Sequence, residues 1–267
     1  SVTVRVPATT ANLACGFDTL GCALSLYNTL SFTLSDRLSF TGCDEEFQTP
    51  DNLACQGFDA VYAHLGRPAP AVHIDIRADI PVCRGLGSSA AMLAAGAMAA
   101  NALSGAELSK AELLSIITPI EGHPDNSTPA ILGGFCVALL ENGHVHHVRV
   151  PVHGAIDFVV FIPDFQLSTE KARAALPKTI DHHDAVYNLA RAALLAGSLT
   201  TGKLENLDAA TGDCLHQPYR FGLIENGEDI VREAKKLGAL GAFISGAGPS
   251  IVAIVYKGDR DYITRAQ

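Results

Sequence analysis

The stretch PVCRGLGSSA, Pro81 to Ala90, sets glycine at 85 and 87 and serine at 88 and 89 directly before an alanine-rich run. A helix start leaves backbone N–H groups unpaired at a positive dipole end, and glycines ahead of it let those amides approach an anion closely. The chemistry this favours is the holding of phosphate. Without such a ligand the same letters read as a flexible turn whose Ser88 or Ser89 caps the helix. A second run of small residues, SGAGPS from Ser245 to Ser250, lies between two apolar stretches, where a plain hairpin more often uses two turn residues such as Asn-Gly. Its glycines, Gly246 and Gly248, permit the same close approach of backbone to ligand.

Two other phosphate signatures are formally present. GLGSSA also spells the dinucleotide pattern GxGxxA, with Glu107 downstream. That pattern opens a helix straight after a strand, whereas ADIPVCR separates VHIDI from Gly85 and Pro81 interrupts the connection. GSLTTGKL, Gly197 to Leu204, copies the P-loop spacing, but Leu204 stands where a hydroxyl must hold magnesium, and a helical stretch precedes it. It reads as a helix C-cap and a turn.

Around these loops the chain alternates between two periods. VTVRV (2–6), LSFTLS (30–35), VHIDI (72–76) and DFVVFIPDF (157–165) read as strands, and ILGGFCVALLENG (131–143) as a strand and turn. Helical spacing marks 52–66, 88–103, 108–122, 185–197 and 228–238, and GAFISGAGPSIVAIVY (241–256) reads as two strands flanking the glycine turn. The fold class is α+β, with a soft boundary near residue 150 dividing 1–150 from 151–267.

Composition narrows the partners. The chain has 267 residues, 48% of them hydrophobic, enough for a sizeable core. Nineteen Lys and Arg stand against 28 Asp and Glu, a net charge of -9, and no basic run exists to follow a phosphate backbone, so nucleic acid is not an expected partner. With no long unbroken apolar segment and no signal-like N-terminus, neither a membrane nor secretion is expected, and the expected compartment is the cytoplasm. Seven cysteines, odd in number and never spaced CxxC, read as reduced, buried hydrophobes. The histidines of HVHH (144–147) read as an exposed turn and strand start.

The two small-residue loops, together with VPATTANLACGFDTLG (6–21), resemble the three motifs of the GHMP kinase superfamily, small-molecule kinases without a Walker loop. Within it EGHPDNSTPAILGG (121–134), LSTEKARAALP (167–177) and LHQPYR (215–220) resemble the homoserine kinase branch. The resemblance implies two domains, a ribosomal protein S5 domain 2-like N-terminal one and a ferredoxin-like C-terminal one, with the site in the cleft between. It implies transfer of phosphate from ATP to homoserine, on the route to threonine, by a homodimer. The loop from Pro81 through Arg84, Gly85, Leu86, Gly87, Ser88 and Ser89 to Ala90 would wrap the ATP phosphates. Gly246 and Gly248 would close over the site, and Asn52 matches a position near adenine. Ser89 and Glu121 match magnesium contacts. Asn12, Asp18, His123, Asp125, Asn126, Arg173 and Arg220 match positions that hold homoserine. Family members commonly continue past YITRAQ through a further helix and strand.

Physical chemistry makes these roles reasonable and keeps plainer ones in view. Homoserine is a zwitterion, so its carboxylate suits the donor forks of Arg173 and Arg220, and its ammonium suits Asp18 or Asp125. Taken singly, each arginine could be a surface ion-pair partner, Asp18, Asp125, Asn12 and Asn126 turn residues, and His123 a cap on the preceding helix. Glu121, near a helix end, is disfavoured by the dipole, which favours a cationic partner such as Mg2+. Many superfamily members use an aspartate as base; the resemblance puts Asn126 at that place. The expected mechanism therefore passes the hydroxyl proton to the γ-phosphate, with Asp125 as the alternative base. Ala14 and Cys15 stand where the family usually reads Gly and Pro, which predicts an altered turn and an oxidation-sensitive Cys15. Two alternative functions stay open: a GHMP kinase for mevalonate, a sugar or pantoate, and a catalytically silent ligand sensor.

Overall fold

Alternating apolar and polar residues run from Val2, and β1 (Val2–Ala11) forms there in the computed structural model, which describes all 267 residues. It pairs antiparallel with β2 (Leu20–Leu34), with a register shift between Pro7 and Thr9. Proline has no N–H to give a ladder, so a break there is where the chain can bend. Beyond it Thr9, Thr10 and Ala11 are all buried, carrying the strand end into the middle of the molecule. The first half of β2 pairs with β5 (Phe135–Glu141) and its second half with β4 (Val72–Ala78). β3 (Ser39–Thr41) joins β4 in parallel, and β6 (His144–Val150) follows β5 as a hairpin.

Four helices complete this half: α1 (Leu53–His64), α2 (Ser88–Ser104), α3 (Lys110–Glu121) and α4 (Pro124–Leu132). The alanines of α2 are almost all buried, and small residues let it lie close to α1: a Cβ on Gly96 would sit 1.9 Å from the Ala54 carbonyl oxygen. Leu93, Phe58, Val61, Ile74, Phe32 and Val6 fill the space between helices and sheet. Ser109 and Glu112 close α3 with a reciprocal capping box. α2 differs from expectation. Its N-cap is Gly87, left-handed and without a side-chain cap, so Ser88 and Ser89 are its first two residues and leave the backbone amides uncovered. α4 was hidden by its prolines: Pro124 sits in the first turn, where no amide partner is lost, and Pro129 further along. Ile131 and Leu132 therefore belong to a helix, and the strand begins at Phe135.

After Val150 the strands form a second, three-stranded antiparallel sheet of β7 (Ile156–Phe161), β8 (Gly241–Ile244) and β9 (Ile251–Tyr256), in the order β7-β9-β8. Between β7 and β8 run α5 (Thr169–Ala174), α6 (His182–Thr201), α7 (Leu207–Ala210), α8 (Gln217–Arg220) and α9 (Gly227–Lys236); α10 (Tyr262–Ala266) ends the chain. The fold is α+β. Its halves share a core, since Leu13, Leu20 and Phe135 pack with Leu195, Leu199, Phe243 and Val252. Four cysteines are buried, Cys43 and Cys214 are half-buried and Cys83 is exposed, an exception to the expected burial.

Candidate active site

A cavity of about 470 Å³ lies between the two halves, lined from the first by scattered residues between Ala11 and Asn126 and from the second by Leu167, Thr169, Arg173, Arg220 and Gly246–Gly248. One end is made of main chain. Gly85 and Gly87 have φ of +72° and +67°; a Cβ at Gly85 would lie 2.3 Å from the Ser245 carbonyl oxygen, and one at Gly87 1.9 Å from Thr9 Oγ1. Only glycine meets both demands. The three loops are sewn together there. Thr9 N donates to Leu86 O (3.1 Å), Gly246 N to Ala11 O (3.1 Å), and Ser245 Oγ to Gly85 O (2.6 Å) and Thr10 Oγ1 (2.9 Å). The uncapped start of α2 faces the cavity through Ser88 and Ser89.

Of the expected members of the phosphate loop, Arg84 and Leu86 line the cavity and two others do not. Arg84 donates Nε to Pro163 O and Nη2 to Asp164 O, so it ties the loop to the second half because those carbonyls are within its reach. Pro81 and Ala90 do not line the cavity, and Ala90 is buried in the core. Leu86 is buried, with part of it lining the cavity.

Ser89 Oγ donates to Glu121 Oε2 across 2.6 Å. Glu121 is the last residue of α3; burial pushes its carboxyl above the usual range, against the opposing Ser89 bond and nearby His123. At the outer end Asn52 caps α1, accepting from Ala54 N (2.9 Å) and donating to Phe47 O (2.8 Å). It lines the cavity with Phe47, Leu53, Ile76 and Met92.

The other end is made of charged side chains. Arg173 grips Asp18 with both fork nitrogens, at 2.6 and 3.1 Å. His123 Nδ1 contacts Asp125 Oδ1. Burial works against charge on His123, but the bond to Asp125 and the carboxylates of Asp125, Glu121 and Asp18 outweigh it, so the imidazolium is favoured beyond its ordinary range. The helix preceding His123 is capped by Gly122, not by His123, which instead stands at the N-cap position of α4. Asp18, His123 and Asp125 gather their polar atoms within 4.8 Å of one another. Asn126 Oδ1 accepts from buried Thr9 Oγ1 at 2.6 Å, which leaves its amide N–H groups as the free function.

Arg220 is 1% exposed and has no carboxylate in ion-pair contact. Nη1 donates to Gly246 O (2.9 Å) and meets His216 Nδ1 (3.1 Å). Burial, then the like charge of Arg173, pull its pKa down to about 10, which leaves it charged at neutral pH. The Phe17 ring is near both guanidiniums, 5.5 Å from that of Arg173 and 5.4 Å from that of Arg220. Asn12 spends its amide on the backbone: Nδ2 donates to Gly246 O and Oδ1 accepts from Asp18 N, both at 2.9 Å. Asn12, Leu13 and Ala14 have φ of +66°, +40° and +62°, a left-handed run that these bonds hold. Cys15 is buried with its thiol on Ala210 O, and burial, with Asp213 adding to it, pushes its pKa up to about 12. That removes the expected sensitivity to oxidation, which requires thiolate and access.

Thr9, Phe17 and His216 were not among the expected site residues. His216 carries a local signal, since it stands four residues before Arg220, one helical turn away.

The family descriptions GHMP kinases N terminal domain and GHMP kinases C terminal match residues 52–134 and 188–266. Homoserine kinase of Clostridium botulinum (strain 657 / Type Ba4) is 44% identical over 262 residues, 98% of this chain and 88% of that one. The chain belongs to the homoserine kinase family, a branch of the GHMP kinases. Homoserine kinase of Caldicellulosiruptor saccharolyticus is 45% identical over 258 residues, 95% of this chain and 84% of its own. The crystal structure of homoserine kinase from Cytophaga hutchinsonii superposes with a TM-score of 0.89 at 30% identity, covering all of this chain and 89% of that one. The crystal structure of L. major mevalonate kinase in complex with R-mevalonate shares the fold, with a TM-score of 0.72 at 17% identity over all of this chain and 91% of that one. Membership of a kinase family carries ATP use with it, and the two-part GHMP fold takes the place of the dinucleotide and P-loop readings. No helix is long and apolar enough to cross a membrane.

Proposed function

We propose that this homoserine kinase family member transfers the γ-phosphoryl group of ATP to the side-chain hydroxyl of L-homoserine, giving ADP and O-phosphohomoserine on the way to threonine. The observation that carries the reading is Arg220, a buried cation without an anion, in a cavity that also holds the carboxylates of Asp18 and Asp125. An uncompensated buried charge is costly, and a ligand carboxylate would relieve it. The substrate ammonium would meet Asp18 and Asp125. A sugar leaves both ends unsatisfied, whereas mevalonate and pantoate supply a carboxylate but no ammonium.

In this reading the triphosphate lies along the amides of Gly85–Ser89 with Gly246 and Gly248 opposite, and adenine reaches the Asn52 end. Ser89 Oγ and the Glu121 carboxylate are hard oxygen donors, and a carboxyl raised by burial is one that a cation would relieve, so they fit Mg2+. The ion, when bound, neutralises phosphate charge. Asn12 acts by holding Asp18 rather than by touching substrate. Arg84, in the cavity wall, ties the loop to the second half.

No side chain is needed to remove the hydroxyl proton. Asn126 is kept as a donor by Thr9, and the Asp125 carboxylate is already engaged by His123. The proton then passes to a γ-phosphate oxygen as attack proceeds, while Asn126 orients the hydroxyl. Asp125→Asn is expected to weaken homoserine binding with kcat nearly intact; a loss in kcat of about 100-fold or more, the scale of general-base catalysis, would make Asp125 the base. ADP release with homoserine, mevalonate, galactose and pantoate in parallel tests the substrate itself. Turnover with homoserine alone is expected, and its absence would reject the reading.

The same reading assigns residues 1–150 to an ATP-binding domain and 151–267 to a second domain, in a cytoplasmic homodimer. Supporting the dimer, α6 turns Val186, Leu189 and Leu194 outward, 50%, 72% and 40% exposed.

A further inference from the structure

Arg220 is held entirely by neutral groups. Besides the carbonyl oxygens of Gly246 and, at 3.4 Å, Ala172, its contact is the ring of His216, the one side-chain hydrogen-bond partner it has. His216 is itself fully buried. Its Nε2 lies 2.7 Å from the carbonyl oxygen of Ala14. A carbonyl only accepts, so Nε2 carries the hydrogen; a guanidinium only donates, so Nδ1 presents its lone pair to Arg220. Both partners therefore demand one neutral tautomer.

The segment carrying the ring is fixed from both sides. Asp213 accepts the backbone N–H groups of Leu215, His216 and Gln217, at 3.0, 3.0 and 2.7 Å. Asn188 joins the same carboxylate to the Cys15 carbonyl, donating to each. The substrate-side loop is thus tied to the Arg220 segment twice, at Ala14 and at Cys15. Phe17, from that loop, lies against the imidazole with centroids 5.3 Å apart. The charged groups around the ring are Arg220, Asp213, whose Oδ2 is 3.7 Å from Nε2, and Asp18 further off.

We propose that His216 is a positioning residue for the phosphotransfer substrate: as the Nε2–H tautomer it anchors Arg220 Nη1 and aims the remaining donors of the fork at the substrate carboxylate without cancelling their charge. An aspartate or glutamate in its place would orient Arg220 equally well but would neutralise it, as Asp18 does Arg173. A neutral acceptor keeps the positive charge available for the ligand. The inference rests on the reading of Arg220 as the carboxylate anchor.

Two amide variants separate the two nitrogens of the ring. His216→Asn places an oxygen near the Nδ1 position and keeps the acceptor for Arg220; His216→Gln reaches towards Ala14 and gives that acceptor up. The expected result is a rise in the KM for homoserine of about tenfold or more in H216Q, the scale of a hydrogen bond to a charged group. The H216N value should stay within about threefold of the parent, and kcat and the KM for ATP within about twofold in both. Equal shifts in the two variants, or a loss that falls on kcat or on ATP, would overturn the assignment. Nitrogen NMR of the histidine rings in the isotopically labelled parent protein supplies a readout independent of any variant. A neutral ring protonated at Nε2, whose Nδ1 signal moves on adding homoserine and not on adding ATP, is expected. A ring protonated at Nδ1, or a signal indifferent to homoserine in a protein that turns homoserine over, overturns the role of His216 and leaves the substrate reading standing. Failure of the parent protein to turn over homoserine instead overturns the substrate reading, and with it the assignment.

Discussion

The two ends of the cavity are built from different materials. Around Gly85–Ser89 the surface is main chain, sewn to β1 and to the Ser245–Ser250 loop by backbone carbonyls and small hydroxyls. Around Asp18, Asp125, Arg173 and Arg220 it is charged side chain, gathered from a loop, α4, α5 and α8. A main-chain surface recognises an anion by shape and by amides that cannot be moved, so any added atom damages it. A charged surface recognises by sign, and the two arginines show how that is tuned: Arg173 is 37% exposed by its side chain and already paired, while Arg220 is buried and unpaired. The first can exchange its partner; the second waits for one.

The largest effect should come from the main-chain end. Gly87→Ala drives a methyl into Thr9 Oγ1 at a left-handed backbone position, and a displacement of about 1 Å there is expected to lower kcat/KM for ATP about 100-fold. Steady-state kinetics at saturating homoserine measure it. A normal ATP response would erase the distinction between the ends. At the charged end, Arg220→Met should raise the KM for homoserine by about 30-fold or more, the cost of removing one member of a buried ion pair, with the KM for ATP steady.

Asp18→Asn sharpens the contrast between the arginines. It frees Arg173 and removes the ammonium partner, so homoserine should bind about tenfold more weakly while 4-hydroxybutanoate, which lacks the ammonium, binds no worse or better. Both residues are part-exposed, which keeps the effect below that of Arg220. Parallel weakening of the two ligands would show that Asp18 only supports the loop. The smallest effect is chemical labelling. Exposed Cys83 lines the cavity beside the phosphate loop, so iodoacetamide should modify it first and ATP should slow the reaction, with buried Cys15 left unmodified. Peptide mass spectrometry with and without nucleotide reads both.

The same division explains what was legible in the sequence. The phosphate end is local: glycines, serines and the helix that follows them are contiguous between 85 and 104, so residue type and propensity exposed both the loop and α2. The charged end is not. Asp18 and Arg173 are 155 residues apart, Ala14 and His216 are 202 apart, and no periodicity encodes which side chains the packing of two sheets brings together. Those residues could be named as candidates only through resemblance to relatives, and their engagement with each other could not. Arg84 shows a mixed case: it lines the cavity within the phosphate loop as expected, and its guanidinium also bonds the carbonyls of Pro163 and Asp164 from the other half, a link no local pattern announces. α4 was missed because two prolines outweigh helix propensity in a short window, although one of them stands where a helix tolerates it.

A crystal structure of the protein with a non-hydrolysable ATP analogue and homoserine bears most directly on the central claim, that backbone amides hold the triphosphate and an uncompensated arginine holds the amino acid. The triphosphate should lie within hydrogen-bonding reach of main-chain nitrogens between Gly85 and Ser89, with the homoserine carboxylate on Arg220. A triphosphate bound away from that segment, or a homoserine carboxylate facing Asp18 with Arg220 still unpaired, would contradict it.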